Sequence, residues 1–256
     1  MINAQAVLAQ LVKLGALRSN DDATTPHLAE ADWLQGELQG MSLEHQQDAA
    51  GNHWITLAGA ESRSVVLGAY LQESGTQALD SQVELVAGLE ILRAVSKRVD
   101  GRPPCTLHLV VWAPGQPQER AAALQQKQVG AYLELHVEAA SDAAAPLGVV
   151  LPDGDRDVFN PRLMTLCDEA IRELTGTSAA SPSSTARAAT AIAQAGIATA
   201  VMSVRGPAGQ AAAEDRVHLL EAAEAFGRWT ESAMHLVAGE PVDLWAREQR
   251  VPHTGS

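Results

Sequence analysis

The fold class this sequence predicts is a three-layer α/β domain: a largely parallel, mixed sheet with helices on both faces. Three observations predict it. Short, nearly continuous apolar runs such as SVVLGAYL, CTLHLVVWA and IATAVMSV read as strands covered on both sides, the mark of parallel sheets. These runs alternate with segments of helical period. No shift in composition marks a boundary, so residues 1–250 read as a single domain, followed by a disordered tail over Val251–Ser256.

The elements follow in order. Ala4–Leu17 is amphipathic, with Asn3 placed to cap it. Pro26 opens a second helical segment with Leu28, Trp33, Leu34 and Leu38 on one face. Ala50-Gly51-Asn52 is a turn before a strand over His53–Leu57. Ser64–Leu71 is a buried strand. Gln82–Val99 is a helix in which Val83, Val86, Leu89, Ile91, Leu92 and Val95 recur at helical spacing, ended by Gly101, Pro103 and Pro104. Strands follow at Cys105–Ala113, Gly130–Glu138 and Leu147–Leu151. Asn160-Pro161 places a cap and then a first-turn proline, and opens a helix that runs to Gly176. Thr177–Thr185 reads as loop, Ala186–Ala195 as helix, Ile197–Val204 as strand, RGPAGQ as loop and Ala213–Val237 as the last helix.

Composition narrows the function. Of 256 residues, 31 are acidic and 18 basic, a formal net charge of −13, which repels a phosphate backbone and argues against nucleic-acid binding. Hydrophobic residues make up 46% and aromatics only 4%, so the core must be built from Ala, Val and Leu. Cys105 and Cys167 lack CxxC spacing and sit in apolar runs, as buried, reduced thiols would. The N-terminal segment has no basic region, and Gln10 and Lys13 interrupt its apolar run. No stretch reaches the ~18 consecutive apolar residues of a membrane span. The expectation is a cytoplasmic protein with no membrane contact.

Five blocks then stand in a familiar order: DAAGNHWITLAG, SVVLGAYLQES, LDSQVELVAGLEILRAV, LHLVVWA and GAYLELHVE. Together, over Asp48–Glu138, they resemble the M20 metallopeptidase-like amidohydrolases, in the branch of N-carbamoyl-L-amino-acid hydrolases, allantoate amidohydrolases and β-ureidopropionases. FNPRLMTLCDEAIRELTG and GIATAVMSV resemble the family's return into its catalytic domain. The resemblance implies two divalent metals, zinc or manganese, whose bridging water attacks an amide or carbamoyl carbon while a glutamate moves the proton.

Residue by residue, the pattern departs from that chemistry. Tyr70 stands where the resemblance sets a ligand histidine, and Gln72 where it sets the orienting carboxylate. A phenol with pKa about 10 is a poor zinc ligand. Asp80 matches the bridging aspartate. The paired glutamates expected after VVWA, base then ligand, are replaced by Gly115 and Gln116. His136 matches a ligand histidine. The late Gly-His-Asp motif falls on SPSSTARA, and no histidine occurs from Arg205 to Val217; His218 comes too late. Two ligand positions, Asp80 and His136, do not hold zinc, since such sites use three or four. No metal, no cofactor and no catalytic residue are therefore expected. The family's lid or dimerisation domain also has no room between Leu151 and Asn160.

Other readings of these residues stay open. Asp80 can cap the Gln82–Val99 helix. His136 can be a hydrogen-bonded sheet residue. Glu134, Glu138 and His108 can join a rebuilt metal site, with only the two glutamates sharing the strand parity of His136. Ser183 or Ser184 can be considered as a nucleophile, without a GxSxG elbow to support it. Arg205, Gly206 and Gly209 can offer an anion contact or form a plain turn. The expectation is a non-catalytic M20-like protein that binds a partner, such as a catalytic amidohydrolase subunit. The alternative is a metal-dependent C–N hydrolase with a site rebuilt from Asp80, His136 and Glu138, or one completed by a partner subunit.

Overall fold

The computed structural model describes residues 2–20, 26–41, 43–70, 78–97, 102–115, 117–140, 147–152, 158–177, 179–183, 187–207 and 216–239. Its elements in chain order are α1 (Ala4–Asn20), α2 (Pro26–Leu38), β1 (Glu44–Gln47), β2 (His53–Leu57), β3 (Glu61–Tyr70), α3 (Ala78–Ser96), β4 (Cys105–Trp112), α4 (Pro117–Gln125), β5 (Val129–Ala140), β6 (Leu147–Pro152), α5 (Pro161–Thr175), β7 (Ala179–Ser183), α6 (Arg187–Gln194), β8 (Thr199–Pro207) and α7 (Arg216–Gly239).

The strands form one eight-stranded sheet in the order β1-β2-β4-β3-β5-β8-β6-β7. β4, β3, β5 and β8 run parallel at its centre. β1 and β2 add antiparallel at one edge, while β6 joins β8 antiparallel and carries β7 parallel at the other. Strand periodicity sorts the side chains between two faces. Leu67, Leu109, Leu133 and Met202 point to one face and pack with α1, α2, α3, α5 and α7. Val66, Val110, Trp112, Tyr132 and Val201 point to the other, under α4 and α6. The predicted three-layer architecture is the one observed.

Local chemistry accounts for the helix ends. Asn3 Oδ1 accepts from the Gln5 and Ala6 amides and caps α1. Asn160 accepts from the Arg162 and Leu163 amides and caps α5, with proline in the first turn as read. Cys105 and Cys167 are free and buried. Among the described residues no helix is long and apolar enough to cross a membrane.

Several elements differ from the sequence reading. α3 starts at Ala78, so Asp80 lies inside its first turn and is not the residue that caps it. The Thr177–Thr185 loop contains β7, whose AASPS sequence has little strand propensity and is ordered by pairing with β6. β8 continues through Arg205 and Gly206, because β5 extends to Ala140 and offers them partners. β1, with the polar sequence EHQQ, and α4 were not foreseen. The Val251–Ser256 tail, Gln72, His218 and Gly209 lie outside the residues whose side chains are described. β6 ends at Pro152 and α5 starts at Pro161, so the connector there is short.

Candidate functional site

Ligands of open α/β sheets bind in the crevice outside the carboxyl ends of the strands. The parallel centre of this sheet brings chemically active side chains to that crevice. In register, Tyr70 of β3 lies level with Trp112 of β4, Gly68 of β3 level with Glu134 of β5, and His136 of β5 level with Ser203 of β8. Trp112, Tyr70, Tyr132, Glu134 and His136 share the face covered by α4 and α6, because each is an even number of residues from a side chain packed there.

Glu134 is the hub. It is fully buried. One carboxylate oxygen, Oε2, accepts from the Tyr70 hydroxyl at 2.7 Å and from the Tyr132 hydroxyl at 2.8 Å. The other, Oε1, lies 2.7 Å from His136 Nε2. Trp112 Nε1 donates to the Tyr132 hydroxyl at 3.0 Å and extends the chain to β4. Glu84, reaching from the first half of α3, places Oε1 3.7 Å from His136 Nδ1.

Gly68 makes this arrangement possible. A Cβ there would lie 1.9 Å from the Tyr132 hydroxyl oxygen, so only glycine lets the Tyr132 ring cross β3 and reach Glu134. The glycine of SVVLGAYL therefore serves close packing.

Electrostatics follow from burial and these contacts. Burial pushes the Glu134 carboxyl up, but His136 and the two phenol donors outweigh it and hold the group below its ordinary value. Tyr70 and Tyr132 are both driven well above the ordinary phenol value, first by burial and then by the Glu134 charge. Tyr70 thus stays protonated and serves as a donor to a carboxylate.

Among the described residues, the donors do not fit the dinuclear zinc or manganese centre that the family resemblance implies. Tyr70 presents a phenol whose proton is committed to Glu134, and Nε2 of His136 is turned to the same carboxylate. Among the described residues no group of three His, Cys, Asp or Glu side chains is arranged to hold a metal ion. No step is derived through a metal.

The structure brings together Tyr70, Glu134 and His136 from the candidate list. Asp80 is placed by its backbone in the first turn of α3; its side chain, that of Glu138, that of Arg205, and Gln116 lie outside the described residues. Gly115 is exposed between β4 and α4. His108 corrects the parity reading: it shares the face of Trp112 and, through Val66, lies level with Tyr132, not His136. Its Nδ1 is 2.9 Å from the Thr56 hydroxyl, and its ring edges onto Trp54. Burial, then nearby Lys127, drops its pKa to about 4, as expected of a neutral packing residue. Ser183 sits on edge strand β7, across β5, β8 and β6 from Tyr70. Arg205 and Gly206 pair with Glu138 and Ala139 in the strand ladder, which corrects their assignment to a loop.

Tyr132, Trp112, Glu84 and Arg120 were missed as participants. The signal for Tyr132 was present: the alternation in GAYLELH puts Tyr132, Glu134 and His136 on one face. Arg120 lies over the Tyr70 ring, 4.7 Å from its centroid, in a helix the sequence did not announce.

The first of the five blocks has a structural role. Asp48 accepts from the Ala50 and Asn52 amides, the Asn52 side chain and Trp54 Nε1. Asn52 Oδ1 in turn accepts from the Ala113 amide and ties the turn to the end of β4. Gly51 takes a φ of 86°, open to glycine at little cost.

Comparison with protein-family models and with curated protein sequences gives no match. Among solved structures, the chain is similar to an amidase of the hydantoinase/carbamoylase family from Burkholderia phymatum, with a TM-score of 0.72 and 14% identity, over 93% of this chain and 99% of that one. AtUAH in complex with glyoxylate matches with a TM-score of 0.73 and 11% identity, over 92% and 98%. A glutaminyl cyclase from an Acidobacteriales bacterium matches with a TM-score of 0.60 and 15% identity, over 93% and 95%. The chain shares its fold with these three structures. Neighbours of such different names share it, so the activity has to be argued from the site.

Proposed function

We propose that this chain is a catalytically degenerate M20-like amidohydrolase homologue, without enzymatic activity, that acts as a partner-binding or accessory subunit of an amidohydrolase system. One observation carries the reading. Where the resemblance sets a metal ligand, Tyr70 donates a hydrogen bond to Glu134, and Glu134 also engages Tyr132 and His136. Groups that could polarise water are spent on one another. The absence of carboxylates at Gly115 and Gln116 removes the expected base. The short connector between Pro152 and Pro161 supports a chain without a lid or dimerisation domain at that point, and with it the role of a separate partner. With 4% aromatics, the chain favours a protein surface over an aromatic-lined ligand pocket.

The test is metal analysis of the purified chain together with turnover of N-carbamoyl amino acids and allantoate. The expected result is zinc and manganese far below stoichiometry and no turnover. Stoichiometric metal with turnover abolished by Asp80→Ala would overturn the reading, in favour of a C–N hydrolase rebuilt on Asp80, His136 and Glu138. Co-purification with a catalytic amidohydrolase subunit supports the accessory role; a chain that elutes alone from its own cell extract speaks against it.

A further inference from the structure

On the sheet face under α4, one cation has a buried donor without an acceptor among the described residues. Arg120, half-buried in the first turn of α4, lays its guanidinium over the Tyr70 ring. Its Nε is buried and finds no hydrogen-bond acceptor among the described residues. Arg228 shares an unmatched Nε, but it, Arg93 and Arg172 each engage carboxylates through their terminal nitrogens, and Arg63 donates to the Val237 carbonyl; Arg120 has no such partner among the described residues. The Tyr70 ring attracts the cation through its face but accepts none of its in-plane donors. Glu134 is not bonded to Arg120: its Oε2 accepts from Tyr70 and Tyr132, and its Oε1 faces His136 Nε2 at 2.7 Å.

A guanidinium is a planar fork of donors matched to carboxylate and phosphate oxygens. Here the Tyr70 ring lies beneath the guanidinium and restrains where it sits. On the same face of the sheet the His136 side chain is 19% exposed, so solvent reaches the carboxyl end of β5. We propose that Arg120, stacked on Tyr70, is an oxyanion-binding residue that receives a small carboxylate or phosphate group at the carboxyl ends of β3 and β5. The inference rests on the non-catalytic reading in one respect: Arg120, and not a metal, supplies the positive charge there.

The test follows the Arg120 Nε–Hε signal by NMR in the full chain while sodium acetate and inorganic phosphate are titrated in separate arms. Sodium chloride at matched ionic strength is the control. A saturable shift with either anion and none with chloride is the expected result, and the responding arm identifies the group. Arg120→Gln is expected to abolish saturation in the remaining signals of the site, and Arg120→Lys to weaken binding at least tenfold, because a point charge lacks the fork. An equal, non-saturating response to chloride means screening only and overturns the proposal. So does unchanged affinity in Arg120→Lys, which decides the matter if Arg120→Gln fails to fold. If metal analysis is negative and neither anion binds, this proposal fails while the non-catalytic reading stands. If anion binding survives Arg120→Gln but is lost on chelation, both fail.

Discussion

The two faces of the sheet are built on different terms. One is covered by five helices, and its interior is almost wholly apolar, from Val7 and Leu14 of α1 to Trp229 and Val237 of α7. The other is covered by the short helices α4 and α6 around a smaller, more aromatic cluster. The Glu134 network lies on this second face, with Glu84 of α3 reaching His136 from the first. The contrast teaches where this fold can keep polar chemistry. A long, continuous helical layer covers strand side chains that are almost all apolar, whereas two short helices leave the strand ends open to polar groups that pair with one another. α3 shows the limit of the first regime. From Gln82 to Leu92 it is buried on every side, and the carboxylates it buries there, Glu84 and Glu90, turn to His136 and Arg93.

The largest effect is expected on the apolar face. Trp229 is fully buried, packs on Phe226 and donates to the Leu163 carbonyl at 2.9 Å. Trp229→Ala is expected to cost about 3–5 kcal/mol in denaturant melts. A cost near 1 kcal/mol would mean that this layer is not the dense core described.

On the second face, Gly68→Ala sharpens the comparison. The added methyl meets the Tyr132 hydroxyl, and the expected loss is about 2–3 kcal/mol. Tyr132→Leu in the same chain should recover part of that loss, a coupling that a double-mutant cycle reads directly. Additive costs would show that the ring does not lie over β3.

Acid titration separates the faces without disrupting packing. The pKa of His108 is about 4 in the folded chain and about 6.5 when unfolded. The unfolded state therefore takes the proton first. Stability is unaffected above about pH 6.5 and falls by about 2–3 kcal/mol as pH drops towards 4. His45 and His53, hydrogen-bonded to each other at 3.0 Å and both lowered by burial, add a loss of the same sign. His108→Gln should remove the larger part of the slope, measured as the urea midpoint against pH.

The smallest effect is expected at the hub. Tyr70→Phe removes one donor and leaves Glu134 with Tyr132 and His136, at a cost of about 1–1.5 kcal/mol. Glu134 is held low, so its contribution is present above the ordinary carboxylate pKa and is lost as pH falls through the folded value. With Tyr70→Phe that acid transition should move to higher pH. No change would mean that the phenol does not reach the carboxylate.

Local periodicity was enough to read most elements. Continuous apolar runs located β3, β4 and β8, and the Asn160-Pro161 start and the Asn3 cap located two helices, because caps and side-chain period act over a few residues. The departures at Tyr70, Gly115 and Gln116 could also be read from the chain, since each is a matter of residue type at a matched position. What Tyr70 does there could not. Its partner Glu134 is 64 residues away, and the two meet because β5 inserts beside β3 in one register and no other. The same holds for β7, a strand only because β6 lends it a ladder, and for Arg120, which reaches Tyr70 through a helix that amphipathic pattern did not disclose. Strand pairing fixes which faces and levels coincide, and that choice is made by the packing of the whole sheet, which no local stretch of sequence contains.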